Sequence, residues 1–189
     1  MTGKKIIMEV NMFLIKRIEN LKLRSQTANC LTLLNISYGI IATILVFRGF
    51  THLSQFFIIL AAFFDRFDGI VARKLNIESE FGKQLDSLSD LVSFGIAPAV
   101  LIYYMVFQER LPELGMLIVT LYILTGAIRL ARFNVKEFDG AFYGVPTTVA
   151  GIIMVLGSFF AGVLPTNFFV LLTLILSILM VSNVRIPKM

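Results

Sequence analysis

The chain is short of the residues that carry thiol and imidazole chemistry. Among 189 residues there is one cysteine, Cys30, and one histidine, His52. A lone cysteine excludes an intramolecular disulfide and a cysteine-rich metal centre, and in its apolar setting Cys30 is expected to be a small buried hydrophobe. His52 falls in the loop expected after the first apolar span and is assigned no chemistry. Charge is scarce too: 15% of residues are charged against 57% hydrophobic, with a mean hydropathy of +0.85. That is more apolar surface than a soluble domain of this length can bury, which leaves an integral membrane protein. Five prolines and thirteen glycines are scattered rather than gathered into a linker, and no low-complexity tract or repeat divides the chain. One membrane domain, residues 27–189, is expected behind a distinct leading segment, residues 1–26.

In that leading segment, MTGKKIIMEVNMFLIKRIENLKLRS, charges interrupt every apolar run. It lacks a signal-peptide core and cleavage site and is expected to stay in the mature protein. Ile6, Ile7, Val10, Phe13, Leu14, Ile18 and Leu21 recur at helical spacing among Lys5, Lys16, Arg17, Lys22 and Arg24, which predicts a helix lying on an anionic membrane surface. Beyond it come six apolar stretches, at 27–47, 54–75, 86–108, 113–133, 144–163 and 166–183. Each approaches the ~20 residues needed to cross the hydrocarbon core. Their short connections favour antiparallel neighbours in a compact bundle. The expected fold is an all-α integral membrane protein with six transmembrane helices plus an N-terminal amphipathic interfacial helix.

With both termini cytoplasmic, one face receives Lys16, Arg17, Lys22, Arg24, Arg73, Lys74, Lys83, Arg132, Lys136, Arg185 and Lys188, and the other only Arg48 and Arg110. The positive-inside rule therefore predicts a cell-membrane protein with its basic face in the cytoplasm. The net charge of +5 suits anionic lipid or phosphate on that face, and nucleic acid is not an expected partner.

Against this background the stretch DRFDGIVARKLNIESEFGKQLDSLSD places four acids at membrane depth. Asp65 and Asp68 are three residues apart, and Asp86 and Asp90 four apart, so each pair projects from one side of its helix. Asp65, Asp68, Gly69, Ala72 and Arg73 share an arc of the second span; Gly82, Asp86 and Asp90 form a stripe on the third. One ionised carboxylate in the bilayer costs at least ~2.5 kcal/mol, so four require a polar cavity and a compensating charge. An all-carboxylate set without histidine or cysteine prefers hard cations such as Mg²⁺, Mn²⁺ or Ca²⁺. Facing helices can hold two such ions about 3.5–4 Å apart, the arrangement that clamps the attacking and leaving oxygens in phosphoryl transfer. Gly69, Ala72 and Gly82 remove bulk where a flat or phosphorylated ligand approaches; close helix packing explains the same residues.

The pattern D-x2-D-G-x2-A-R-x8-G-x3-D-x3-D, filled by Asp65, Asp68, Gly69, Ala72, Arg73, Gly82, Asp86 and Asp90, resembles that of the CDP-alcohol phosphotransferase family. The resemblance implies a six-helix, usually homodimeric membrane enzyme that transfers a phospho-alcohol group from a CDP-linked donor to a hydroxyl and releases CMP. It also implies that Asp65, Asp68 and Asp86 ligate one divalent ion, and that Asp65, Asp86 and Asp90 contribute to a second, with Asp90 the general base. Asp68, Gly69, Ala72 and Gly82 would line the CDP pocket and Arg73 would meet its phosphates.

Three further stretches, LVSFGIAPA after Asp90, RLARFNV at 129–135 and FYGVPTT at 142–148, resemble the phosphatidylserine synthase branch of that family. The implied substrates are CDP-diacylglycerol and serine. Arg129 and Arg132 are then candidates for the serine carboxylate, since arginine offers it two donors, and Asn134 for a further contact. Arg132 is also placed to anchor its helix at headgroup level. Gly144, Pro146, Thr147 and Thr148 open the fifth span and bring amides and hydroxyls toward the same end. Two alternatives stay open: the same chemistry with CDP-archaeol as donor or glycerol phosphate or inositol phosphate as acceptor, and a divalent-cation transporter.

Overall fold

The computed structural model describes residues 29–75, 79–135, 142–182 and 185–186, with only the backbone described at 68–75, 142–143 and 185–186. The amphipathic helix expected within residues 1–26 lies outside the described residues. The described residues form six helices: α1 (Asn29–Phe47), α2 (Thr51–Leu75), α3 (Glu80–Phe107), α4 (Pro112–Val135), α5 (Thr147–Ser158) and α6 (Thr166–Val181). By length and composition α1, α3 and α4 can cross a membrane, and α5 and α6 are shorter apolar helices. The protein is an all-helical, multi-pass membrane protein. The extended structure among the described residues is one two-residue antiparallel pairing, Phe142 with Ile186 and Tyr143 with Arg185.

Local chemistry sets the boundaries, and several differ from the hydropathy expectation. The turn after α1 is tighter than RGFTHLS, because Gly49 adopts φ +80° while its N–H donates to the Val46 carbonyl and that of Phe50 to Leu45. This glycine-terminated close of a helix turns the chain at once, so His52 sits in the first turn of α2 rather than in a loop. Likewise α3 begins at Glu80 rather than at 86. Ser79 is extended, and its hydroxyl accepts from Gly82 N at 3.0 Å, capping the helix and shortening the joint between the aspartate pairs. Further along the chain, α5 starts only at Thr147, after Pro146, and gives way to turns past Ser158. Gly144 (φ +70°) lies so close to the end of α6 that a Cβ would come within 2.6 Å of the Met180 carbonyl. Cys30, expected to be buried, is exposed at the start of α1, in keeping with a helix that offers a face to lipid.

The central element is α3. Over half of its apolar window is buried (56%), against 28% for α1 and 33% for α4. One core cluster joins its first part (Phe94, Ala97, Leu101) to Ala42 and Val46 of α1, Ile58 and Ala61 of α2, and Val155 of α5. A second joins its last part (Ile102, Val106, Phe107) to Tyr122 of α4, Met154 of α5, and Phe169 and Met180 of α6. Immediately after Asp90 the helix widens into a π-turn, Leu91–Ile96. Pro98 has no N–H to offer the Phe94 carbonyl one turn back, and Ala97 N bonds instead to Val92 O. The Phe94 carbonyl is taken by the buried Tyr122 hydroxyl at 3.0 Å, which ties the wide turn to α4.

Candidate active site

The antiparallel run of α2 into α3 brings Asp65, Asp86 and Asp90 together. One carboxylate oxygen from each lies within 4.8 Å of the others. Three like charges at this separation repel strongly in a low-dielectric setting, so the cluster calls for a cation. The donors are all carboxylate oxygens, which fits a hard divalent ion and not a thiolate- or imidazole-bound one. Asn35, fully buried on α1, donates from Nδ2 to Asp65 Oδ1 at 3.2 Å.

Beside the cluster a cavity of about 180 Å³ is lined by Lys83, Asp86, Ser87, Asp90, Arg129 and Asn134, with Pro146 and Thr148 closing it from the start of α5. Arg129 donates from Nη1 to Thr147 Oγ1 at 3.3 Å, and its buried Nε has no acceptor among the described residues. The cavity therefore sets cationic donors against the carboxylates across a space sized for a small polar molecule. Its floor is stitched by amide and hydroxyl groups: Asn134 Nδ2 reaches Ser87 Oγ (2.9 Å) and Gln84 Oε1 (3.1 Å), and Lys83 Nζ reaches the Asn134 carbonyl (3.4 Å).

Of the residues singled out in the sequence, Asp65, Asp86 and Asp90 converge, and Arg129 and Asn134 meet Asp86 and Asp90 at the cavity. Asp68, Gly69, Ala72 and Arg73 lie on the last turns of α2, where only the backbone is described. Gly82 sits in the first turn of α3, where a Cβ would meet Asn29 Oδ1 at 3.4 Å. Arg132 goes elsewhere. It is exposed, and its Nη1 donates to the Val181 carbonyl at 3.2 Å, which closes the C-terminal end of α6. Asn134 reaches the cavity with its amide already engaged by α3. Lys83, Ser87 and Asn35 were not foreseen as site residues. Asn35 had a visible signal, an amide inside an apolar span, whereas Ser87 is placed by contacts that only the packing of α3 on α4 creates.

The profile of the family described as CDP-alcohol phosphatidyltransferase matches residues 25–183. Among curated proteins, the chain is 37% identical over 161 residues to a CDP-diacylglycerol--serine O-phosphatidyltransferase of Bacillus subtilis (strain 168), covering 83% of this chain and 87% of the relative. It is 37% identical over 167 residues to an archaetidylserine synthase of Methanothermobacter thermautotrophicus, covering 84% and 68%. A CDP-diacylglycerol--serine O-phosphatidyltransferase of Methanocaldococcus jannaschii is 38% identical over 158 residues, covering 83% and 71%. With a profile match over most of its length and an acidic cluster assembled from the family's aspartate pattern, the chain belongs to the CDP-alcohol phosphatidyltransferase family.

Proposed function

We propose that the protein transfers the phosphatidyl group of CDP-diacylglycerol to the hydroxyl of L-serine, with release of CMP. One observation carries the reading: the carboxylate cluster of Asp65, Asp86 and Asp90 borders a small cavity that also presents Arg129. Phosphoryl chemistry and capture of a carboxylate are thereby adjacent.

Asp65, Asp86 and Asp90 would hold a divalent ion, Mg²⁺ or Mn²⁺, with Asp68 completing a set for two. When bound, such ions neutralise charge on the diphosphate and on the departing CMP. Arg129 receives the serine carboxylate through its free donors, orienting the hydroxyl toward Asp90. Asp90 accepts the hydroxyl proton as the serine oxygen bonds to phosphorus and the bond to CMP breaks. Holding the two reactants in line contributes more than proton abstraction, because a carboxylate beside a dication is a weak base. Asp68, Gly69, Ala72, Arg73 and Gly82 are proposed to receive the CDP moiety.

On this reading all six helices cross the bilayer as one domain, residues 1–26 lie on its surface, and both termini and the site face the cytoplasm. In support, the contacts of Lys83 with α4 and of Arg132 with α6 gather the basic residues at the end that bears the cluster, while Arg110 meets Thr166 at the other end. Pairing into a homodimer belongs to the same proposal and is checked by light scattering in detergent. The relative named archaetidylserine synthase supports CDP-archaeol as a second donor, since the headgroup chemistry is shared.

The test is purified protein in detergent with Mg²⁺ or Mn²⁺, CDP-diacylglycerol or CDP-archaeol, and labelled serine, glycerol phosphate or inositol phosphate. CMP and a serine lipid are expected. No CMP with any acceptor would return the four acids to the transporter reading, and product from glycerol phosphate alone would reassign the acceptor.

A further inference from the structure

Outside the aspartate pattern, the buried amide of Asn35 touches the cluster. Asn35 is fully buried on α1 and donates from Nδ2 to Asp65 Oδ1 at 3.2 Å. Its other amide atom, Oδ1, is buried and accepts no hydrogen bond among the described residues. A buried acceptor left unmatched is destabilising, so an apolar residue of similar shape would serve packing better. The backbone around it is pinned as well: Ser93 Oγ donates to the Asn35 carbonyl (3.1 Å) and Ser89 Oγ to the Thr32 carbonyl (3.3 Å). Both serines lie on α3, Ser89 just before Asp90 and Ser93 within the wide turn that follows it. Gly39 permits this approach, since a Cβ there would collide with Ser93. The backbone of Asn35 is thus anchored to the helix that bears Asp86 and Asp90 while its side chain grips the carboxylate borne by α2.

We propose that Asn35 is a positioning residue: its amide sets the Asp65 carboxylate at the separation from Asp86 and Asp90 that a divalent ion requires. Of the three, Asp65 alone lies on α2, so its position relative to Asp86 and Asp90 is not fixed by a shared helix. A hydrogen bond from a third helix supplies that register. Partners that orient a ligating carboxylate typically change metal affinity 10–100-fold when removed.

The inference rests on the cluster being a cation site, and it is tested without substrates. Mn²⁺ binding to detergent-purified protein is read from the loss of the free-ion paramagnetic resonance signal. Asn35→Leu, with the same number and branching of side-chain heavy atoms, should weaken Mn²⁺ binding about tenfold. The metal concentration for half-maximal turnover should rise in parallel, while KM for the CDP-lipid at saturating metal stays within about twofold. Asn35→Ala, which leaves a gap instead of a misfit, carries the same expectation should the leucine variant not fold. Either folded variant with unchanged Mn²⁺ affinity overturns the proposal, as does a KM shift equal to the metal shift, the mark of a general packing defect. Wild-type protein that binds no Mn²⁺ overturns the cation reading itself, and Asp86→Asn, expected to bind none, distinguishes the two failures.

Discussion

Arg129 and Arg132 are one turn apart on the same helix and look alike in sequence, yet their surroundings predict opposite outcomes when each is truncated. Arg129 is partly buried at the cavity with Asp86 and Asp90; one amino group meets Thr147 Oγ1 at 3.3 Å and Nε has no acceptor among the described residues. A serine carboxylate bound there gains one or two charge-assisted hydrogen bonds. At about 1.5 kcal/mol for each bond and 1.4 kcal/mol per decade, Arg129→Ala raises KM for serine roughly tenfold if one bond is lost and roughly a hundredfold if two are. Arg129→Lys, which keeps the charge but not the fork, falls between. Arg132 is exposed and spends its donor on the Val181 carbonyl. An exposed charge at a helix end contributes about 0–1 kcal/mol, so Arg132→Ala leaves KM for serine within about threefold and lowers thermal stability slightly. The assay is initial rate of CMP release over a serine titration at saturating CDP-diacylglycerol and Mn²⁺, repeated with the two substrates exchanged. Equal rises in KM for serine in the two alanine variants, or a rise for CDP-diacylglycerol matching that for serine in the Arg129 variant, would refute the assignment.

Four further substitutions address the cluster and the packing behind it. Asp86→Asn should abolish turnover, yet raise the thermal midpoint of metal-free protein, because it relieves repulsion among three carboxylates within 4.8 Å of one another; about 1 kcal/mol of relief corresponds to about 2–4 °C in a scan with chelator. Gly151→Ala should destabilise by about 1–3 kcal/mol, since its Cβ would come within 2.7–2.8 Å of the Phe94 carbonyl and backbone. Gly126→Ala, with nothing nearer than 3.6 Å, should be neutral in the same thermal assay. Tyr122→Phe strips the hydroxyl from the Phe94 carbonyl in the wide turn after Asp90 and should lower stability by about 1–3 kcal/mol, with activity lost in proportion to unfolding when followed by scanning and CMP release.

What was legible in the sequence follows from short-range rules. The apolar stretches marked membrane helices because a bilayer satisfies no backbone polar group, and their lengths are set by its thickness. The spacings Asp65–Asp68 and Asp86–Asp90 placed each acid pair on one helix face because a helix repeats every 3.6 residues. Carboxylates alone, without sulfur or imidazole, already pointed to a hard cation. Helix ends were less legible, since Ser79, Gly49 and Pro146 act through single hydrogen bonds and dihedral angles that hydropathy averages away.

Only the tertiary structure decided which charges share a space. Periodicity put Arg129 and Arg132 on the same helix end, but the packing of α4 between α3 and α6 turned one toward the cavity and the other onto the Val181 carbonyl. It likewise set Asn35, distant in the chain from every acid, against Asp65, and Ser87 against Asn134. Such contacts depend on the relative rotation of packed helices, which is decided by close approaches such as Gly39 on Ser93 and Gly151 on Phe94 and is not written in any single helix.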